Sequence, residues 1–357
     1  MSNINCYDIS HMSCHCYYGV IYSMKRYIIV GNETDWCDLS LADRSEYDNI
    51  SFFNTKNLIG KNSILYPLMN LHFSDKLNRR INAPFKGIWN KTIVDYLGID
   101  EKDDIYLIIY DWHRLGRNES FLNYIMKNFK NVRLVYVFTN IVEYSGAKTH
   151  NFVHKLDEYY NAIMAFDLED AKKYSFSYSP LVYSKKLNKN IKETSDVFYL
   201  GKAKDRYNML IEVFEKLKKF DLKCDFTIAD VNDTEKFYEE EIKYIDYHNY
   251  IPYKEAVKRL SSSKYLLDII QGDSTGLTIK TCEAIYHNKK LITTNKHIKD
   301  YLFYENNKEN ILIIESAEDL TESFFKDNND VCYTDDALSY FSLDSFLFRI
   351  EKACSKK

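Results

Sequence analysis

The stretch from Ser263 to Asn295, SKYLLDIIQGDSTGLTIKTCEAIYHNKKLITTN, restricts the fold more than any other part of the chain. Tyr265–Ile270 is an apolar run of strand length, too short for an ordinary helix. Gln271–Thr275 is polar and contains Gly272, as a turn requires. From Leu277 to His287 the apolar period becomes helical, with Leu277, Thr281, Ala284 and Ile285 on one face. Leu291–Thr294 is again a strand. Two apolar strands joined by one helix enter a sheet in the same direction, so the unit predicts a parallel sheet.

Parallel strands are covered on both faces and read as unbroken apolar runs. Asp104–Tyr110 (DIYLIIY) and Val132–Phe138 (VRLVYVF) have that character, and Tyr27–Val30, Asp196–Leu200, Asp225–Ala229 and Ile311–Ile314 are shorter versions. Ala165–Asp167 and Pro180–Tyr183 read as further short strands. Helical periods occupy Phe121–Phe129, Leu156–Met164, the stretch from about Asp205, Lys254–Leu260 and Ala337–Ala353. Lys185–Thr194 is charged, without apolar period, and reads as a linker. A chain of 357 residues with 45% apolar content has room for two cores. The expectation is an α/β protein. Residues 24–184 form a first Rossmann-like domain and 185–195 a linker. Residues 196–333 form a second such domain, and 334–357 a terminal helix. Residues 1–23 are rich in Cys, His and Tyr without a period. They read as an extension, with Met24 as the natural start.

The net charge of −4 gives no footprint for nucleic acid. No run approaches the length of a membrane helix, and no secretory signal is visible. The eight cysteines lack metal spacing, and the adjacent Cys14-His15-Cys16 is too tight for a zinc pattern. A cytoplasmic protein with free thiols is expected. Asp103-Asp104 precedes a strand, and Asp230 and Asp233 are wrongly spaced for a metal-binding DxD, so no essential metal and no cofactor are expected.

Gly276, Lys280 and Glu283 are spaced i, i+4, i+7 and share the other face of the 277–287 helix. A cation in the first turn opposes the helix dipole, and an anionic ligand there would reverse the penalty. Glu283, a turn deeper, is placed to accept hydrogen bonds from sugar hydroxyls. A solvated Lys and Glu on an amphipathic helix is the competing reading. Gly201-Lys202-Ala203-Lys204-Asp205-Arg206 again gathers cations where a helix begins, so Lys202 and Arg206 are phosphate candidates beside Gly201. Asp111 and His113 follow a buried strand, where cleft-facing polar groups sit in doubly wound sheets. Either is a candidate general base, or merely a helix cap. In Asn70–Asp95, Lys76, Arg79, Arg80, Lys86 and Lys91 alternate with Phe73, Phe85 and Trp89. That surface suits anionic lipid headgroups or an acceptor diphosphate, against the plainer reading of solvated helices.

The run Gly276-Leu277-Thr278, Lys280, Glu283-Ala284 and Lys289-Lys290-Leu291 resembles the donor-nucleotide segment of GT-B glycosyltransferases, particularly those assembling bacterial capsule and lipopolysaccharide. The resemblance implies two Rossmann-like domains facing a central cleft, with a C-terminal helix crossing back. It implies that Glu283 binds the ribose and that the backbone of Gly276–Thr278, with Thr275 beside it, binds the diphosphate. The Gly201–Arg206 loop would add phosphate contacts, and Tyr250, Ile251 and Tyr253 would hold the base, against the plainer reading of core packing. Lys280 stands where the family usually has Arg, and Lys lacks the bidentate fork. The implied activity moves a sugar from a UDP- or GDP-linked donor to a glycan or lipid-linked acceptor, with peripheral contact at the inner membrane surface. A sugar-nucleotide epimerase and a non-catalytic sugar-nucleotide-binding protein are the alternatives.

Overall fold

The computed structural model describes residues 24–31, 35–53, 58, 63–74, 77, 84–187, 191–231, 245–247, 251–272, 274–326 and 330–356. The expected 1–23 extension and the start at Met24 concern a stretch outside these residues.

Two six-stranded sheets carry the fold. The first contains β1 (Lys25–Val30), β2 (Ile50–Phe53), β3 (Asp104–Tyr110), β4 (Val132–Val137), β5 (Ala162–Ala165) and β6 (Ser177–Tyr178), in the order β2-β1-β3-β4-β5-β6. The second contains β7 (Val197–Lys202), β8 (Cys224–Ala229), β9 (Ile245–Asp246), β10 (Tyr265–Asp268), β11 (Lys290–Thr293) and β12 (Ile311–Ile313), in the order β12-β11-β10-β7-β8-β9. Neighbouring strands are parallel in both sheets, in register such as Ile28↔Leu107 and Leu266↔Leu291.

The apolar runs explain the layering. Along β3, Ile105, Leu107 and Ile109 enter the core on one face of the first sheet. Tyr106, Ile108 and Tyr110 enter the core on the other. The second sheet is likewise buried on both sides, with Phe198 and Leu266 on one face and Val197, Tyr199 and Leu267 on the other. The helix Leu343–Cys354 follows the second sheet in sequence, yet Phe346, Leu347 and Ile350 pack against Ile29, Ile108 and Val135 of the first. Glu351 on that helix accepts from Lys25 Nζ at 2.8 Å and from the Tyr27 hydroxyl.

Three expected elements differ. The expected helix over 156–164 is a single turn, Leu156–Tyr159, followed by β5. Pairing with β4, Val135 opposite Ala162, claims those residues for the sheet and overrides their helical period. The expected strand Pro180–Tyr183 is irregular; the edge strand is Ser177–Tyr178, ahead of a proline that has no N–H for a ladder. The expected helix over 337–353 is two, Asp335–Tyr340 and Leu343–Cys354, because Ser342 starts a new helix by accepting the Ser345 N–H at 3.2 Å.

Candidate active site

The strand orders fix where a ligand crevice lies. In the second sheet the direction of winding reverses between β10 and β7, and loops leaving the carboxyl ends of such a pair flank a crevice. Those loops are Lys202–Arg206 and Ile269–Thr278, the two stretches that the sequence marks as anion sites. Arg206 fastens them together: its guanidinium donates to the Ile269 carbonyl and, at 2.6 Å, to the Lys202 carbonyl. Lys204 Nζ donates to Gln271 Oε1 across the same gap.

A cavity of about 460 Å³ opens there, between the two halves. The second half contributes Arg206, Gln271, Ser274, Thr278, Lys280 and Glu283. Trp36, Thr139, Asn140 and Phe166 of the first half face them. Glu283 is 1% exposed and held on two sides. The Tyr253 hydroxyl donates to its Oε1 at 2.8 Å, and Lys280 Nζ donates to its Oε2 at 3.3 Å. Burial holds the Tyr253 phenol well above its usual range, so it stays a donor. Thr278 caps the helix Ile279–Tyr286, accepting the Lys280 N–H at 3.1 Å and donating to Asp268 Oδ2 at 2.8 Å. Lys280 therefore has an anionic partner one turn along its own helix, which answers part of the dipole penalty without a ligand.

The loop before that helix is occupied by a carboxylate of the other half. Asp167, which follows β5, accepts the backbone N–H groups of Thr275 at 2.7 Å and Gly276 at 2.9 Å, both through Oδ2. The hydroxyls of Ser274 and Thr275 donate to it at 3.1 and 3.0 Å. It also accepts the N–H groups of Glu169 and Asp170, capping the helix Leu168–Lys173. Burial alone would raise this carboxyl, but the N–H groups of Asp170, Thr275 and Gly276 outweigh it and hold the pKa below 3.8. The N–H groups of Thr275 and Gly276, assigned above to a diphosphate, thus grip Asp167 here. Gly276 lets the halves approach this closely, since a Cβ at that position would stand 2.5 Å from Phe166 Cε2. Leu277 is fully buried in the core.

The other sequence candidates fall elsewhere. Lys202 is outward, paired with Asp230 at 2.6 Å, and does not line the cavity. Gly201 packs on Tyr199, whose hydroxyl would sit 2.7 Å from an added Cβ. Ile251 is half-buried and off the cavity wall, and Tyr250 lies outside the described residues. Asp111 is buried behind Thr139, which does line the cavity. Thr139 donates to Asp111 Oδ1 from its hydroxyl at 3.0 Å and its N–H at 3.3 Å. Burial pushes the Asp111 carboxyl up to about 6 despite those bonds. His113 behaves as the cap among the two readings: its Nδ1 accepts the Leu115 N–H at 3.2 Å and starts the turn Arg114–Arg117. Of the basic stretch, Lys76, Arg79 and Arg80 lie outside the described residues. Lys91 is exposed and paired with Asp95 at 2.9 Å, as the solvated reading expects. Trp89 is buried, its indole N–H on His72 Nδ1 at 2.8 Å. Among the described residues, no three His, Cys, Asp or Glu side chains are placed to hold a metal ion.

Asp167, Asp268 and Tyr253 are the groups that sequence reasoning placed poorly. Asp167 lies two positions after β5 and Asp268 is the last residue of β10, and neither position says what the carboxylate touches.

No protein-family model and no curated protein matches the sequence. Solved structures do match in shape. AviGT4, a glycosyltransferase involved in avilamycin A biosynthesis, aligns with 93% of this chain and 97% of its own, at 8% identity and a TM-score of 0.56. A protein described as a UDP-N-acetylglucosamine 2-epimerase from Listeria monocytogenes aligns with 94% of this chain and 98% of its own, at 8% identity and a TM-score of 0.52. TarM aligns with 74% of this chain at 16% identity and a TM-score of 0.48, and this chain spans 58% of TarM's length. Two parallel-sheet halves facing a cleft, tied by a terminal helix that returns to the first, make this a GT-B fold.

Proposed function

We propose that the protein is a glycosyltransferase that moves a sugar from a nucleotide-sugar donor to a glycan or lipid-linked acceptor. The observation that carries this reading is the interdomain cavity with Arg206, Lys280 and Glu283 on one wall and Asp111, through Thr139, behind the other. The acceptor oxygen attacks the anomeric carbon as the bond from that carbon to the phosphate oxygen breaks. The acceptor's proton passes to the Thr139 hydroxyl as that hydroxyl gives its own to Asp111, whose carboxyl, raised to about 6, is a competent base near neutral pH. Arg206 and Lys280 meet the charge that grows on the leaving diphosphate. Each Glu283 oxygen has a second lone pair for a ribose hydroxyl. With two cations and a helix N-terminus supplying that charge, turnover needs no metal ion.

A role in cell-surface polysaccharide synthesis is supported by the resemblance of Gly276–Leu291 to the donor segment of the glycosyltransferases that assemble capsule and lipopolysaccharide. No helix among the described residues is long and apolar enough to cross a membrane. The experiment is a panel of UDP-, GDP- and CMP-sugars incubated with and without acceptors, in the presence and absence of EDTA. Acceptor-dependent, EDTA-insensitive nucleotide release is expected. Interconversion of two sugar nucleotides without acceptor would instead make the protein an epimerase, and tight binding without turnover would refute both.

A further inference from the structure

The loop Ser274–Gly276 is shaped as an anion site by its own half of the chain. The Tyr301 hydroxyl donates to the Thr275 carbonyl at 3.0 Å, and Asn295 Nδ2 donates to the Gly276 carbonyl at 3.0 Å. Both side chains belong to the second half and both are buried. Asn295 is itself fixed, because its Oδ1 accepts the His297 N–H at 3.1 Å. With the two carbonyls pinned from behind, the N–H groups of Thr275 and Gly276 and the hydroxyls of Ser274 and Thr275 converge on one point. Successive backbone N–H groups aimed at one point make a concave anion site. Its occupant is a carboxylate, Asp167, and that carboxylate comes from the other half.

The two sides of this contact are separable. Asp167 Oδ1 accepts the N–H groups of Glu169 and Asp170 at 3.0 and 3.1 Å, and both of these lie in its own half. Those bonds survive if the halves part at this point. The four donors of the second half are then released together, between Ser274 and Thr278, which line the donor cavity. Phe166, the neighbour of Asp167, lines the same cavity, as do Arg206 and Lys280. While Asp167 is seated, Thr275 and Gly276 are buried, so a ligand in the cavity does not reach their N–H groups.

We infer that Asp167 is a built-in competitor of the donor's diphosphate, which reaches the Thr275 and Gly276 N–H groups only by displacing this carboxylate. The inference rests on the transferase reading, which supplies the diphosphate, and adds how its binding is regulated. A carboxylate brings one negative charge. A diphosphate brings at least two, next to Arg206 and Lys280, and has more oxygens for the same donors. It therefore takes the site at sufficient concentration. Its apparent affinity is lowered by the fraction of molecules in which the site is free of Asp167. Once the nucleotide leaves, Asp167 reoccupies the site, so the contact also opposes retention of the product.

The test is calorimetric titration of the full chain with inorganic pyrophosphate in EDTA, without donor or acceptor. Asp167→Asn keeps an oxygen for the helix cap but turns an amide NH2 toward the Thr275 and Gly276 N–H groups, so it vacates the site. Asp167→Ser also keeps a capping oxygen and is too short to cross between the halves. Either variant should bind pyrophosphate at least about tenfold more tightly than the parent. Hydrogen exchange provides a second readout. Without ligand, the Thr275 and Gly276 amides should exchange at least about tenfold faster in the variants than in the parent, and pyrophosphate should slow them again. Equal or weaker pyrophosphate binding in a folded variant of either kind, or amides that pyrophosphate leaves unprotected there, would overturn the inference. No sugar is transferred in this experiment, so its failure leaves the transfer assay to judge the transferase reading by itself.

Discussion

Asp167 in the first half accepts the backbone N–H of Gly276 in the second at 2.9 Å, so one carboxylate fastens the two sheets across the cleft. Its other donors come from both halves, which makes this contact a junction and not a local cap.

Asp167→Ala should lower stability by about 2–4 kcal/mol, since several charge-assisted hydrogen bonds lose their acceptor together. Urea denaturation measures it, with separate unfolding of the halves as a further expected sign. The pH dependence has a fixed direction. The folded carboxyl titrates below the ordinary 3.8, so its contribution is complete above 3.8 and is lost as the pH falls through the lower folded value. Melting curves between about pH 2 and 5 should therefore be steeper with pH for the parent than for Asp167→Asn.

Gly276→Ala places a methyl carbon against the Phe166 ring, at 2.5 Å before any relaxation. A loss of about 1–3 kcal/mol is expected, as for other overpacked contacts. Adding Phe166→Leu should recover part of it. A Gly276→Ala protein with parental melting temperature and donor KM would show that the halves do not meet here.

Glu283→Gln should raise the donor KM at least about tenfold and leave the fold intact, because the amide cannot accept from two hydroxyls and two protein donors as a carboxylate can. Tyr253→Phe removes the 2.8 Å bond that orients Glu283 and should raise the same KM about three- to tenfold, with a smaller change in kcat. Equal kcat losses and unchanged KM in both variants would remove Glu283 from the donor site.

With Asp111 as base, kcat/KM should rise with pH along a limb centred near 6 and level off above it, since the ionised form is the active one. Asp111→Asn should abolish the limb and lower kcat by about 10² to 10⁴. His113→Asn, which keeps a capping oxygen, should retain most activity. A pH profile that persists in Asp111→Asn would assign the proton transfer elsewhere.

The parallel sheets were legible because burial on both faces leaves a one-dimensional trace: DIYLIIY predicts Asp104–Tyr110, and β3 has those bounds. Leu156–Met164 was not, because a short apolar stretch fits either period and the neighbouring strand β4 makes the choice. Arg206 and Lys280 were individually visible as cations at helix beginnings, and Glu283 as a carboxylate a turn deeper. Their convergence on one cavity wall follows from the winding reversal between β7 and β10, which is a property of the sheet.

The sequence by itself determined the long buried strands and the cationic helix beginnings, since these depend on periodicity and on residues a few positions apart. The tertiary structure alone decided which anion each N–H group holds. Asp167 and Thr275 are 108 positions apart, and no local pattern couples them. It also decided that Lys202 turns to Asp230 while Arg206 faces the cleft, because a flexible cation goes to whichever acceptor the folded chain brings within reach.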